Sequence, residues 1–106
     1  LITTHMLFEF GVAAIIAPLT FSDTLPNKQE IDHVQKVGVA DYFKQTAREV
    51  AVLDMYTRYQ QKGWTPKLAY DVRHKLAPLI IKCVTLIWHQ AVIDAKLIEL
   101  NVKDNA

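Results

Sequence analysis

The stretch from Thr65 to Leu100 most constrains the fold, because its apolar residues recur with helical spacing over a great length. Thr65 can cap the start of a helix, and Pro66 suits the first helical position, where its missing N–H is not needed. The side chains that gather on one side of a helical wheel are Ala69, Val72, Leu76, Leu79, Ile80, Cys83, Ile87, Ala91, Leu97 and Ile98. The pattern predicts a long amphipathic helix, bent or broken near Pro78, whose apolar side needs partners.

The charge balance gives no strong nucleic-acid signal. The chain of 106 residues carries 12 basic and 11 acidic side chains, for a net charge of +1. A nearly neutral chain has no overall attraction to a polyanion or to an anionic membrane surface. The partners that we expect are therefore protein chains, either further copies of this one or other subunits.

The single cysteine, Cys83, restricts the chemistry. One cysteine excludes an intramolecular disulfide and a zinc site built from several cysteines. We expect Cys83 to be a small buried hydrophobic residue, because it falls on the apolar side of its helix. The absence of disulfides favours an intracellular or organellar location.

The N-terminal segment, residues 1–21, is apolar almost all round. Thr3 or Thr4 can cap a helix that runs to about Ala17. Three explanations compete: a central helix buried by the others, a contact surface for another chain, and the apolar part of a targeting signal. The run is short of the roughly 20 residues that a membrane span needs, and Glu9 interrupts it. We expect burial or a subunit contact, and no transmembrane span.

The second helical stretch, residues 27–61, begins with capping chemistry and contains one candidate break. Asn27 can cap its start with Glu30 three residues later. The apolar pattern changes phase at Gly38, and Gly63 is well placed to end the stretch. We find no sustained strand alternation. The sequence thus predicts one all-α domain, an antiparallel helical bundle of three to five helices, from segments 1–21, 27–61 and 65–100.

Two carboxylate–imidazole pairs have the spacing of metal ligands on a helix: Glu30 with His33, and Asp71 with His74. Facing pairs of this kind hold di-iron centres in some bundles. Asp71 and His74, however, lie on the polar side of the predicted helix. We interpret all four as surface residues and expect no metal and no cofactor.

A second set of polar residues lies among apolar ones, namely Asp54, Arg58, Gln90 and Asp94. Buried carboxylates are unfavourable unless they are paired or hydrogen-bonded. Arg58 lies one turn after Asp54 and could pair with it. One hypothesis is a ligand-binding or catalytic pocket inside the bundle. The other is that these groups pair with one another or fix the register of a wet subunit contact.

The apolar surface exceeds what a bundle of this size can easily bury. A second apolar strip surrounds Trp88, beside the main one, and aromatic side chains are favoured at protein contacts. We find no catalytic motif and do not expect an enzyme. The sequence favours a small helical protein–protein interaction module, a homo-oligomer or a subunit of a larger assembly. The candidate contact residues are Phe8, Val12, Ile16, Trp88 and Val92.

Overall fold

The predicted all-α architecture is confirmed. The computed structural model describes residues 2–19 and 25–104, and these ranges contain helices and no strand. The helices are α1 (Thr4–Ile16), α2 (Lys28–Val37), α3 (Val39–Val52), α4 (Met55–Lys62), α5 (Pro66–Asp71) and α6 (Ala77–Asp104). The end of the predicted segment 1–21 and part of the connection to the segment 27–61 lie outside the described residues.

The helix starts follow the capping chemistry of the sequence. The side chains of Thr3, Asn27 and Thr65 each accept a hydrogen bond from a backbone N–H in the first turn of α1, α2 and α5. Glu30 completes the box at α2 by accepting from the backbone N–H of Asn27, at 3.0 Å. These caps satisfy N–H groups that have no partner within the helix.

The second helical stretch is broken twice. Gly38 ends α2 with φ 89° and ψ 155°, a conformation that glycine adopts readily, so the predicted break is confirmed. A second break, which the sequence did not predict, separates α3 from α4 at Asp54. Its φ of 51° and ψ of 40° place it in the left-handed region, where aspartate is one of the few tolerated side chains.

The predicted bend in the C-terminal helix takes the form of a π turn. Residues Val72–Leu76 link α5 to α6, and the N–H of Ala77 donates to the carbonyl of Val72, five residues back. Pro78 supplies the physical reason, since it has no N–H for the carbonyl of His74 and its ring would collide with that carbonyl in a regular helix. The wider turn admits the proline without ending the helix.

The core lies at the α5 end of this long helix. Met55, Leu68, Val72 and Leu76 form the buried cluster. Helix α1 packs against the π turn and α4, while α2 and α3 pack against α6. The two halves of the long helix therefore face different neighbours.

The far end of α6 leaves the body of the protein. Every residue from Asp94 to Lys103 is exposed. The radius of gyration is 17.5 Å and the extents are 60 × 33 × 25 Å, whereas a compact chain of about 100 residues has a radius of gyration near 13 Å. The protein is elongated because this end of α6 projects.

Candidate functional site

An exposed apolar surface runs along α6, on the side away from the bundle. Cys83 and Leu86 face the bundle and are buried. The opposite face carries six exposed side chains, which we call the α6 strip: Val84, Trp88, Ala91, Ala95, Ile98 and Val102. Trp88 has 73% of its surface exposed, and the other large members are exposed by 61–66%. Such a continuous apolar surface on one chain is typical of an interaction site.

The spacing within the α6 strip is that of a coiled-coil seam. Successive members are four, three, four, three and four residues apart. Apolar residues that repeat every 3.5 positions keep facing a partner helix along its length. The sequence predicts Trp88 at the centre of a second strip and places Ala91 and Ile98 on the main apolar side, whereas both are exposed in the α6 strip. Val84 and Val102 were not predicted, although this spacing could have revealed them.

The predicted contact residues fall into two groups. Phe8, Val12 and Ile16 on α1 are partly buried against the core cluster. Trp88 and Val92 on α6 are exposed, with Val92 at the edge of the α6 strip. The second pair is therefore the more accessible to another protein chain.

A close contact between aromatic rings and a glycine places α1 on the core. Phe8 stacks on Trp64 with ring centroids 5.7 Å apart and an interplanar angle of 6°. Tyr59 holds the same indole at a centroid distance of 5.3 Å. A Cβ atom at Gly11 would overlap the indole ring, so the missing side chain lets α1 approach. The outer face of α1 still exposes apolar residues, including Leu7 and Phe10.

The most buried charge is Asp71, and the interpretation of this residue as a surface group is wrong. Its exposed fraction is 3%. Arg58 donates to Oδ2 at 2.9 Å, Lys67 donates to Oδ1 at 3.1 Å, and Lys75 Nζ lies 3.6 Å from Oδ1. The three cations neutralise the carboxylate, and Arg58 connects α4 to the long helix, on which Lys67 and Lys75 lie with Asp71.

The surroundings of Asp71 act on its pKa in opposite directions. Burial raises the pKa of this carboxyl, because desolvation disfavours the charged form. Hydrogen bonds from Lys67 and Arg58, together with the charges of Lys67 and Lys75, outweigh burial and hold the pKa below its ordinary value. All three cations pair with this one carboxylate, and the contact with Arg58 joins α4 to the long helix, so the cluster is a structural clamp.

The four residues of the hypothetical polar pocket occur in separate places. Asp54 is exposed at the junction of α3 and α4. Arg58 bonds to Asp71 and to the carbonyl of Leu53. Gln90 donates to Asp94 at 2.9 Å within α6. Within the described residues, no hydrogen bond or ion pair joins the α4 pair to the α6 pair.

Asp54 borders an open apolar groove of about 530 Å³ between α1, the α3–α4 junction and the long helix. Its walls include Phe8, Met55, Leu76 and Ile80, and Glu9, Tyr56 and Thr57 are the other side chains with polar groups that line it. The volume is within the range of small-molecule sites. Arg58, Gln90 and Asp94 do not line it.

A polar groove of about 400 Å³ lies between α2, α3 and α6. Lys82 Nζ and Glu30 Oε2 form an ion pair across it at 3.1 Å. A hydrogen bond from the N–H of Asn27 is the main cause of a lowered pKa of Glu30, and burial raises the pKa of Tyr42. His33 bonds to Gln45 at 3.0 Å.

The described residues contain no group of three or more His, Cys, Asp or Glu side chains that could hold a metal ion.

The helix formed by Pro66–Lys103 is long and apolar enough to cross a membrane. Its most apolar 18 residues have a mean hydropathy of 1.7, and 22% of that window is buried within the protein. Core helices of soluble proteins meet the same criteria of length and composition.

Comparison with known proteins finds no matching family model, no similar curated protein and no similar solved structure. The functional argument therefore depends on the surfaces and contacts of this chain.

Proposed function

We propose that this protein is a small helical contact module, which associates with protein chains through the α6 strip as a homo-oligomer or as a subunit of a larger assembly. The observation that carries the proposal is the exposure of six apolar side chains along one face of a helix that projects from the body. Covering such a face removes apolar area from water and is favourable by about 25 cal/mol per Å².

The composition of the α6 strip supports a contact between proteins. Trp88 is the largest member of the α6 strip and the most exposed of its large side chains, and tryptophan is enriched among the residues that dominate binding energy. Charged residues such as Lys96 and Glu99 flank the strip and pair with each other at 3.6 Å, as in the polar rim of an interface.

The ligand-binding alternative has weaker support. A pocket made by Asp54, Arg58, Gln90 and Asp94 would need these side chains to converge. Arg58 is engaged by Asp71, and Gln90 and Asp94 bond to each other on α6. One acceptor atom, Oε1 of Gln90, is enclosed and has no hydrogen-bond partner among the described residues.

The proposal is tested by measuring the mass in solution, by light scattering from micromolar to millimolar concentration. We expect the wild-type chain to show a mass above the 12.1 kDa of one chain. Trp88→Glu should weaken association at least about tenfold, since it places a charge within the apolar contact. Trp88 is exposed, so this change should leave the helix content in circular dichroism unaltered.

The matched control is His89→Glu, which adds the same side chain one residue away, outside the α6 strip, and should retain the wild-type mass. Ile16→Glu is a poorer test because Ile16 packs against the core. The proposal would be contradicted by a wild-type chain that stays at 12.1 kDa and is no less soluble than Trp88→Glu.

A further inference from the structure

The α6 strip is symmetric about its own centre. Counted outward from Ile93, its members lie at matching distances on both sides: Ala91 with Ala95, Trp88 with Ile98, and Val84 with Val102. Their sizes match as well, with two small residues at the centre, two large ones beyond them and a valine at each end. Two identical chains that meet across a two-fold axis need a surface that matches itself after a rotation of 180°.

We propose that the occupant of the α6 strip is the α6 strip of a second copy, packed antiparallel about Ile93; this inference rests on the proposed function. In this register Ala91 faces Ala95 of the second copy, Trp88 faces Ile98, and Val84 faces Val102. The central alanines let the two helices approach closely, and each large side chain packs against its counterpart beyond them. Each projecting helix end thus covers the exposed part of the other chain's helix.

The extent of the surface is sufficient for a dimer. Since a large aromatic side chain buries about 150–250 Å², the six members offer on the order of 500 Å² per chain. A two-fold pair would bury roughly 1,000 Å², which is at the threshold for a specific interface. The strip also faces away from α2 and α3, so the two bodies need not collide.

The flanking charges favour the antiparallel arrangement over the parallel one. In a parallel pair, Asp94 of each chain would face Glu99 of the other, which places two acidic pairs along the contact. In the antiparallel register, Glu99 faces Thr85 of the second copy, and the acidic contact that remains is between the two copies of Asp94. The antiparallel dimer therefore has less charge repulsion.

The register is tested with two single-cysteine additions, Ala91→Cys and Ala95→Cys, in the full chain. Oxidation of a mixture should link the Ala91→Cys chain to the Ala95→Cys chain, because these positions face each other. Each variant alone should link poorly. The new cysteine of one chain and the same cysteine of the second copy would lie about 6 Å apart along the helix axis, in addition to the separation between the helices. A disulfide requires Cα atoms within about 7 Å. The wild-type chain, whose Cys83 is buried, is the control and should not link.

The outcomes separate this inference from the proposed function. Linking of each variant to itself, in a protein of dimeric mass, would overturn the antiparallel register and leave the contact function standing. A monomeric wild-type chain whose solubility improves with Trp88→Glu would overturn the second copy as occupant but leave another protein partner. Flotation of the wild-type chain with phosphatidylcholine–phosphatidylglycerol vesicles, abolished by Trp88→Glu, would overturn both in favour of a lipid surface.

Discussion

Asp71 shows how much one buried charge contributes to this small protein. Asp71→Asn removes the negative charge and leaves Arg58, Lys67 and Lys75 close together without their common partner. Removing one partner of a buried ion pair is strongly destabilising, and we expect the midpoint of thermal unfolding to fall by about 10 °C. Differential scanning calorimetry of both proteins at neutral pH measures the change.

The effect of Asp71→Asn should depend on pH in a defined direction. Because the folded pKa of Asp71 is depressed, its contribution to stability is present above the ordinary aspartate pKa of about 3.9 and is lost as pH falls toward the folded value. The difference between the two proteins should shrink below about pH 4. Asp32→Asn, a change at an exposed aspartate on α2, is the control and should have little effect at either pH. Equal losses in the two variants would show that the clamp contributes nothing.

The burial of Asp71 could not be read from the sequence, because it depends on which helix packs beside it. On a wheel of residues 65–100, Asp71 falls on the polar side. In the structure α5 packs against α4, and Arg58 of α4 bonds to Asp71. Leu86 was also missing from the predicted apolar side, although it lies about five turns after Leu68 and is as buried as Leu68.

At the scale of helices, the capping residues predicted where helices begin. The sequence did not predict a break whose backbone conformation depends on the surrounding structure. Thr3, Asn27 and Thr65 cap their helices through atoms within three residues, so the sequence alone identifies them. Asp54 breaks α3 from α4 in the left-handed region. Nothing local marks this aspartate as different from one inside a helix, and the break was missed.

The contact between α1 and Trp64 gives a prediction about a single glycine. Glycine in a helix usually destabilises it by up to about 1 kcal/mol relative to alanine, so Gly11→Ala would ordinarily stabilise α1. Here a Cβ atom would overlap an indole that Phe8 and Tyr59 hold in place. We expect Gly11→Ala to lower the free energy of unfolding by about 1–2 kcal/mol, measured by urea denaturation.

A second background isolates the cause of this effect. In the Trp64→Leu protein the indole is gone, and Gly11→Ala should become neutral or stabilising by up to about 1 kcal/mol. The same loss in both backgrounds would mean that the ring does not limit the approach of α1.

At the scale of the whole molecule, the sequence identified an excess of apolar surface but could not assign it. Phe8, Val12 and Ile16 are as apolar as the α6 strip, yet they pack inside the chain. Which apolar helix becomes covered depends on how the long helices pack against one another. Such packing is not a local property of the sequence. The bundle covers one side of α6 and leaves the α6 strip open on the other, and beyond Ile93 the helix projects without cover.

The antiparallel dimer makes a prediction about two acidic residues that separates it from a parallel one. Asp94 faces its own copy in the antiparallel register, so Asp94→Asn removes a repulsion of about 0.5 kcal/mol and should tighten the dimer about twofold. Glu99→Gln should not tighten it, because Glu99 faces Thr85 of the second copy. A parallel pair would place Asp94 against Glu99, and both changes would then tighten it equally. Sedimentation equilibrium of the two variants beside the wild type, at low salt where the repulsion is least screened, distinguishes the two arrangements.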